Sequence, residues 1–157
     1  MYHQYLATPD KFPKPWVHIT ADDNGITSLY FVDEKTEKET KNEHSKLCVK
    51  ELKEYFNHKR TVFTVALNPQ GTEFQKKVWK HLCGIPYGER WSYKDLALKL
   101  GSANYCRAVG MANSRNPISL IVPCHRVLGH DGKLVGYTGG LDIKDWLLLH
   151  EKQKLNN

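Results

Sequence analysis

The stretch SYKDLALKLGSANYCRAVGMA, Ser92 to Ala112, decides how the chain is read. Ser92 can cap a helix that holds Leu96, Ala97 and Leu100 and stops at Gly101. Ser102 can cap a second helix, predicted from about Ala103 to Ala112. Two short helices joined by a tight turn containing glycine outline a helix-turn-helix. Upstream, Thr72-Glu73-Phe74-Gln75 has the form of a capping box, and Phe74, Val78 and Leu82 continue at helical spacing as a buried stripe. Ile85-Pro86-Tyr87-Gly88 ends that helix. Downstream, the apolar run Ile118 to Val122 leads into Pro123-Cys124-His125-Arg126-Val127. Leu128 to Tyr137, with Asp131-Gly132 near its centre, predicts a small hairpin or wing. A final helix is predicted from Leu141 to about Lys154, with Ile143, Leu147 and Glu151 along one side.

Asn68-Pro69-Gln70-Gly71 breaks the chain, which sets the expected domains at 1–69 and 70–157. In the first, Val17 to Thr20 and Ile26 to Val32 flank the turn Asp22-Asp23-Asn24-Gly25 and predict a hairpin. The charged stretch Asp33 to Lys46 reads as a loop or solvated helix start. Leu47, Val49, Leu52, Tyr55 and Phe56 follow at roughly helical spacing, and Thr61 to Leu67 alternates as a third strand would. The class is therefore α+β: a small sheet domain followed by a mostly helical one. There is no internal repeat and no low-complexity tract.

With 157 residues, 40% of them hydrophobic and 25% charged, the balance is that of an ordinary folded domain or two small ones. No apolar run approaches the roughly 20 residues a membrane helix needs. MYHQYLATPDKFPKPW lacks a basic segment followed by an apolar one, so a soluble intracellular protein is expected. Residues 1–69 carry 10 basic and 10 acidic side chains, whereas residues 70–157 carry 13 and 7, so the whole +6 lies in the C-terminal half. An anionic partner such as nucleic acid would suit that half; on charge alone a mildly basic solvated surface explains it better. Cys48, Cys83, Cys106 and Cys124 read as reduced thiols, and their spacing fits no zinc-ligand pattern. His81 and Cys83 with Cys124 and His125 make a poor metal site, because adjacent residues rarely turn both side chains to one ion.

Cysteine usually packs as a small hydrophobe, which suffices for Cys48, Cys83 and Cys106. Cys124 ends an apolar run, follows a proline and precedes His125 and Arg126, which can favour the thiolate. Local context alone leaves a reactive and a structural reading open.

PCHRV (123–127), with RAVG (107–110), Asn116-Pro117, IPYGE (85–89), Ser92-Tyr93 and Gly139-Gly140, resembles the O6-alkylguanine-DNA alkyltransferases, also called methylated-DNA–protein-cysteine methyltransferases. The resemblance spans about Gly71 to Glu151; the N-terminal third matches loosely. It implies a ribonuclease H-like N-terminal sheet domain and a winged helix-turn-helix C-terminal domain. It also implies irreversible transfer of a methyl or larger alkyl group from O6 of guanine, with O4 of thymine a second substrate to consider, to Cys124, once per molecule. His125 would be the base, through a water, and Glu151 would orient the imidazole. Tyr93 would donate to the guanine as it leaves, and Asn116 would be the hinge tying the DNA-binding helix to an active-site strand. Val135 to Gly140 resembles the loop lining the guanine pocket, with Tyr137, Thr138 and Val127 as pocket residues; Thr138 stands where relatives often have serine. Arg107 resembles the arginine finger that replaces an extruded base, and Ala108 and Gly110 would let the helix approach a minor groove. Duplex DNA carrying the lesion is the implied partner; no cofactor, no metal and no membrane are expected. A monomer is expected, cytoplasmic, or nuclear in a eukaryote.

Tyr105-Cys106 departs from the pattern, since relatives commonly carry smaller residues before the arginine. The absence of cysteines near the N-terminus argues against the structural zinc of some relatives. Alkyltransferase-like proteins share the scaffold without the acceptor cysteine, so the presence of Cys124 favours an enzyme over a lesion-binding module. A cysteine hydrolase would leave the helix-turn-helix unexplained and lacks an evident oxyanion motif. A winged-helix regulator sensing alkylation or oxidation through Cys124 is the remaining rival.

Overall fold

Valine, isoleucine and alanine at alternate positions make one face of the N-terminal sheet. The computed structural model describes residues 1–129, 132, 137 and 139–153, in two compact units, Met1–Gln70 and Gly71–Lys152. The first holds an antiparallel sheet of β1 (Tyr2–Ala7), β2 (Trp16–Asp22) and β3 (Gly25–Val32), in that order. Val17, Ile19 and Ala21 are fully buried along β2, the period-two pattern of a half-covered sheet. The hairpin between β2 and β3 closes because the Asp22 carboxylate accepts the N–H groups of Asn24 at 2.9 Å and Gly25 at 3.1 Å. Gly25 is required: a Cβ there would lie 2.6 Å from the Ala66 carbonyl oxygen. α1 (Glu43–Phe56), capped reciprocally by Asn42 and Ser45, buries Cys48, Leu52 and Tyr55.

One expectation for this unit fails. The third strand is β1, and Thr61 to Leu67 contributes only a single bridge, Leu67 to Ile26. Side chains take the bonds a ladder would need: the Glu51 carboxylate accepts the backbone N–H of Thr64 and Val65 and the Thr64 hydroxyl. Alternation marked a half-buried segment but not what satisfies its backbone.

In the second unit, α2 (Glu73–Leu82) begins with the Thr72/Gln75 capping box. Its buried face is Val78, Trp79 and Leu82; Phe74 is only half-buried, and the Trp79 indole N–H donates to the Ala112 carbonyl at 2.8 Å. β4 (Trp91–Ser92) runs straight into α3 (Tyr93–Lys99), with Ser92 and Asp95 closing another capping box. Gly101 turns the chain at φ +119°, and Ser102 caps the next element. That element is not one helix from Ala103 to Ala112: a 3-10 turn, Ala103–Tyr105, precedes α4, Cys106–Ser114. α4 packs against α2 and α3.

After a bridge position at Ile118, the apolar run turns, with Leu120 at φ +72° and Val122 N–H donating to the Ile118 carbonyl at 3.1 Å. β5 (Val127–Leu128) pairs in parallel with β4. The predicted wing falls mostly outside the described residues. α5 (Leu141–Lys152) buries Ile143, Leu147 and Glu151 on the side the sequence indicated. No helix among the described residues is long and apolar enough to cross a membrane.

Candidate active site

Pro123 and the turns before it deliver Cys124 to the start of a 3-10 turn, Cys124–Arg126, where the side chain is almost completely buried. Asn116, just past α4, makes this placement. Its Nδ2 donates to the Val122 carbonyl at 2.8 Å and to Cys124 Sγ at 3.1 Å, while its Oδ1 accepts the Ile118 N–H at 3.0 Å. One amide therefore fixes both ends of the Ile118–Cys124 segment and touches the sulfur. Burial pushes the Cys124 thiol up to about 11, against the opposing pull of the Asn116 amide and Lys144. At neutral pH the group rests as a thiol and needs a base to become nucleophilic.

The neighbouring residue supplies one. His125 is wholly buried, and its Nε2 lies 2.7 Å from Glu151 Oε2. Burial lowers the His125 pKa, only partly offset by Glu151, so the ring is neutral at pH 7. A neutral ring bound to a carboxylate keeps its proton on Nε2, which leaves the Nδ1 lone pair basic. Burial opposes the charge of Glu151, yet His125 and Arg126 hold its carboxyl well below the usual range. Arg126 grips it bidentately, Nε to Oε1 at 2.8 Å and Nη2 to Oε2 at 2.9 Å, and Nη1 reaches the Ile85 carbonyl at 2.8 Å. Glu151 is thus a buried ionic anchor, not the solvated helix carboxylate that an isolated reading would assign.

Lys144 completes the buried charges. Its side chain is fully buried, Nζ donates to the Val127 carbonyl at 2.6 Å, and burial lowers its pKa to about 8 while Cys124 pulls the other way. Tyr93, at the start of α3, stays a hydroxyl to higher pH than usual, first through burial and further through Cys124, against Asn113. Gly110 on α4 faces this ring: a Cβ there would stand 3.9 Å from Tyr93 Cε1. Tyr137 is buried, and its acidity is suppressed by burial and by Cys124.

The structure therefore brings Cys124, His125, Glu151, Asn116, Val127 and Tyr137 into one buried neighbourhood, with half-buried Tyr93 beside it. Arg107 and Ala108 stand exposed on α4, with Gly110 half-buried. Val135, Gly136 and Thr138 of the Val135–Gly140 loop lie outside the described residues. Sequence reasoning missed Lys144, and took Arg126 for a neighbour of the thiol rather than the partner of Glu151. Arg126 was legible as a basic residue beside the cysteine; Lys144 shares the α5 face of Ile143, Leu147 and Glu151, a spacing that could have revealed it. Among the described residues, no three His, Cys, Asp or Glu side chains are placed to hold a metal ion.

Residues 73–153 match the family described as 6-O-methylguanine DNA methyltransferase, DNA binding domain, and residues 1–69 match its ribonuclease-like domain. A methylated-DNA–protein-cysteine methyltransferase of Methanosarcina mazei is 43% identical over 161 residues, covering 99% of each chain. Its counterpart from Methanosarcina barkeri is 54% identical over 108 residues, 69% of this chain and 68% of that one. Among solved structures, Mycobacterium tuberculosis OGT in complex with DNA superposes with a TM-score of 0.85 at 38% identity, covering 97% of this chain and 93% of that one. With both halves matched in order and a relative aligned end to end, the chain belongs to the 6-O-methylguanine DNA methyltransferase family.

Proposed function

We propose that this chain repairs O6-alkylguanine in duplex DNA by moving the alkyl group onto its own Cys124, once per molecule. The observation that carries the reading is the Cys124 thiol held at 3.1 Å by Asn116 beside the 2.7 Å His125–Glu151 pair. In the transfer, the thiol proton passes through a water to His125 Nδ1, and Glu151 stabilises the imidazolium that results. Sγ attacks the alkyl carbon, the carbon–O6 bond breaks, and its electron pair goes to guanine. The Tyr93 hydroxyl donates a proton to the leaving base, and the proton on His125 returns through solvent to the Tyr93 oxygen. The thioether left on Cys124 has no internal means of reversal, so the protein is consumed. The transfer balances without a cofactor.

The base must leave the stack to reach a buried sulfur, at a cost of a few kcal/mol. Arg107, exposed near the start of α4, suits the space the base vacates, since a flat guanidinium stacks while charged. Ala108 and Gly110 allow the helix into a minor groove, and affinity should fall as salt rises. The protein acts as a monomer in the cytoplasm, or in the nucleus of a eukaryote. The O4 position of thymine is a second acceptor-compatible lesion.

Intact mass after incubation with excess duplex containing O6-methylguanine tests this reading. One methyl per chain, mapped to Cys124 and absent from C124A, supports it. Unchanged mass with tight lesion binding replaces it with a non-enzymatic lesion-binding module.

A further inference from the structure

We propose that Met111 is an apolar minor-groove contact which adds a salt-independent share to duplex binding; this rests on the DNA-repair reading above. On α4, Val109, Ala112 and Asn113 are buried, while Arg107, Ala108, Met111 and Arg115, the residue that caps the helix, are exposed. At 3.6 residues per turn, Met111 lies between Arg107 and Arg115 in the middle of that outward stripe. It is 56% exposed and is the one large apolar side chain there.

The flanking charges identify the occupant. Arg107 and Arg115 bracket Met111, and the C-terminal half that carries them, residues 70–157, holds the chain's whole positive excess, so an anionic surface is the complement. Arg115 pairs with a phosphate while Arg107 takes the place of the extruded base, and between them a minor groove presents sugar C–H walls and base edges. Met111 follows Arg107 by one helical turn, about 6 Å, or roughly two base-pair steps from the nucleotide whose place the guanidinium would take. A flexible, unbranched side chain suits an irregular wall, and methionine is among the residues that wedge into base steps from this groove. Neighbours Ala108 and Gly110 are too small to hold the helix away.

The test is the Kd for an unmodified duplex, measured over a salt series for the wild type, M111A, M111Q, M111L and R115A. Binding to undamaged DNA needs no chemistry at Cys124, so this result and the mass experiment fail independently. M111A and M111Q are expected to raise Kd about tenfold, in line with the loss of a partly buried apolar side chain, with the slope of log K against log salt unchanged. M111L should stay within about twofold of the wild type, because it keeps the apolar volume. R115A should reduce the slope by about one, as loss of a phosphate contact does. Wild-type affinity in M111A, or a slope that falls in M111A as in R115A, overturns the proposal. So does a wild-type dimer in sedimentation without DNA that M111A converts to monomer, which would make Met111 a self-association contact.

Discussion

Nε2 of His125 stands 2.7 Å from Oε2 of Glu151, with both side chains buried, and the same carboxylate takes two further bonds from Arg126. Glu151 therefore does two jobs: it sets the tautomer of the base and it neutralises a buried guanidinium. E151A should destabilise the protein by about 3–5 kcal/mol, because it strands Arg126 without its counter-charge. Urea unfolding reads this directly. The Glu151 pKa is depressed in the fold, so its contribution is present above its ordinary value of 4.5 and is lost as pH falls below it. The stability gap between wild type and E151Q should accordingly shrink in acid; a gap independent of pH would contradict the ionic role.

The same pair fixes the acid limb of the transfer rate. Burial already holds His125 below 6.5, and the Glu151 charge partly restores it. Single-turnover transfer should stay high as pH drops past 6.5 and fall only below the depressed value, since the base must be neutral to accept a proton. E151Q removes the charge that raises the His125 pKa, so its acid limb should move to lower pH while its plateau rate drops. A limb that moves upward would mean that another group titrates.

Lys144 supplies a positive charge beside the acceptor sulfur, and its pKa of about 8 puts the loss of that charge within reach of experiment. Because this charge lowers the Cys124 pKa, K144M should push the thiol further above about 11 and slow the transfer. A thiol pKa higher by about one means roughly tenfold less thiolate at neutral pH. Methionine keeps the length of the side chain and removes a buried charge, so folding should survive. The wild-type rate should also lose part of its gain above pH 8, an inflection that K144M should lack.

Local chemistry wrote much of this fold into the sequence. Thr72/Gln75 and Ser92 announce helix starts through side chains that satisfy backbone groups a few residues away, and the Asp22–Gly25 turn does the same for a hairpin. What could not be read was decided by distant partners. Thr61 to Leu67 alternates like a strand, yet Glu51, more than ten residues earlier, takes its N–H groups. Nearer by, the apolar run Ile118 to Val122 announces burial, but not that it turns around the Asn116 amide. At the site, the motifs pointed to Cys124, His125 and Glu151, which the fold brings together. The ion pair of Arg126 and the buried amine of Lys144 needed the packing of α5 against the 3-10 turn to become visible.

Asn116 is expected to be intolerant of even an isosteric change. N116D keeps an acceptor for the Ile118 N–H but turns the donor that faces the Val122 carbonyl and Cys124 Sγ into an oxygen. A carboxylate there opposes formation of the thiolate and leaves a buried carbonyl unpaired, worth about 1–3 kcal/mol. N116D should lower both stability and transfer rate. Wild-type transfer in N116D would remove the amide from the acceptor site.

Gly110 separates the needs of the fold from those of DNA contact. A Cβ at this position meets only Tyr93 Cε1, at 3.9 Å, an ordinary contact, and the backbone is helical. G110A should therefore fit, and it should stabilise α4 by up to about 1 kcal/mol because alanine forms helix more readily than glycine. If the glycine serves close approach to a groove and access of the base to Tyr93, the same variant should transfer more slowly from duplex DNA despite its higher unfolding midpoint. The ratio of its rate on duplex to its rate on a free O6-alkylguanine base isolates that effect. A G110A protein that is both more stable and undiminished on duplex would show that the groove does not require glycine here.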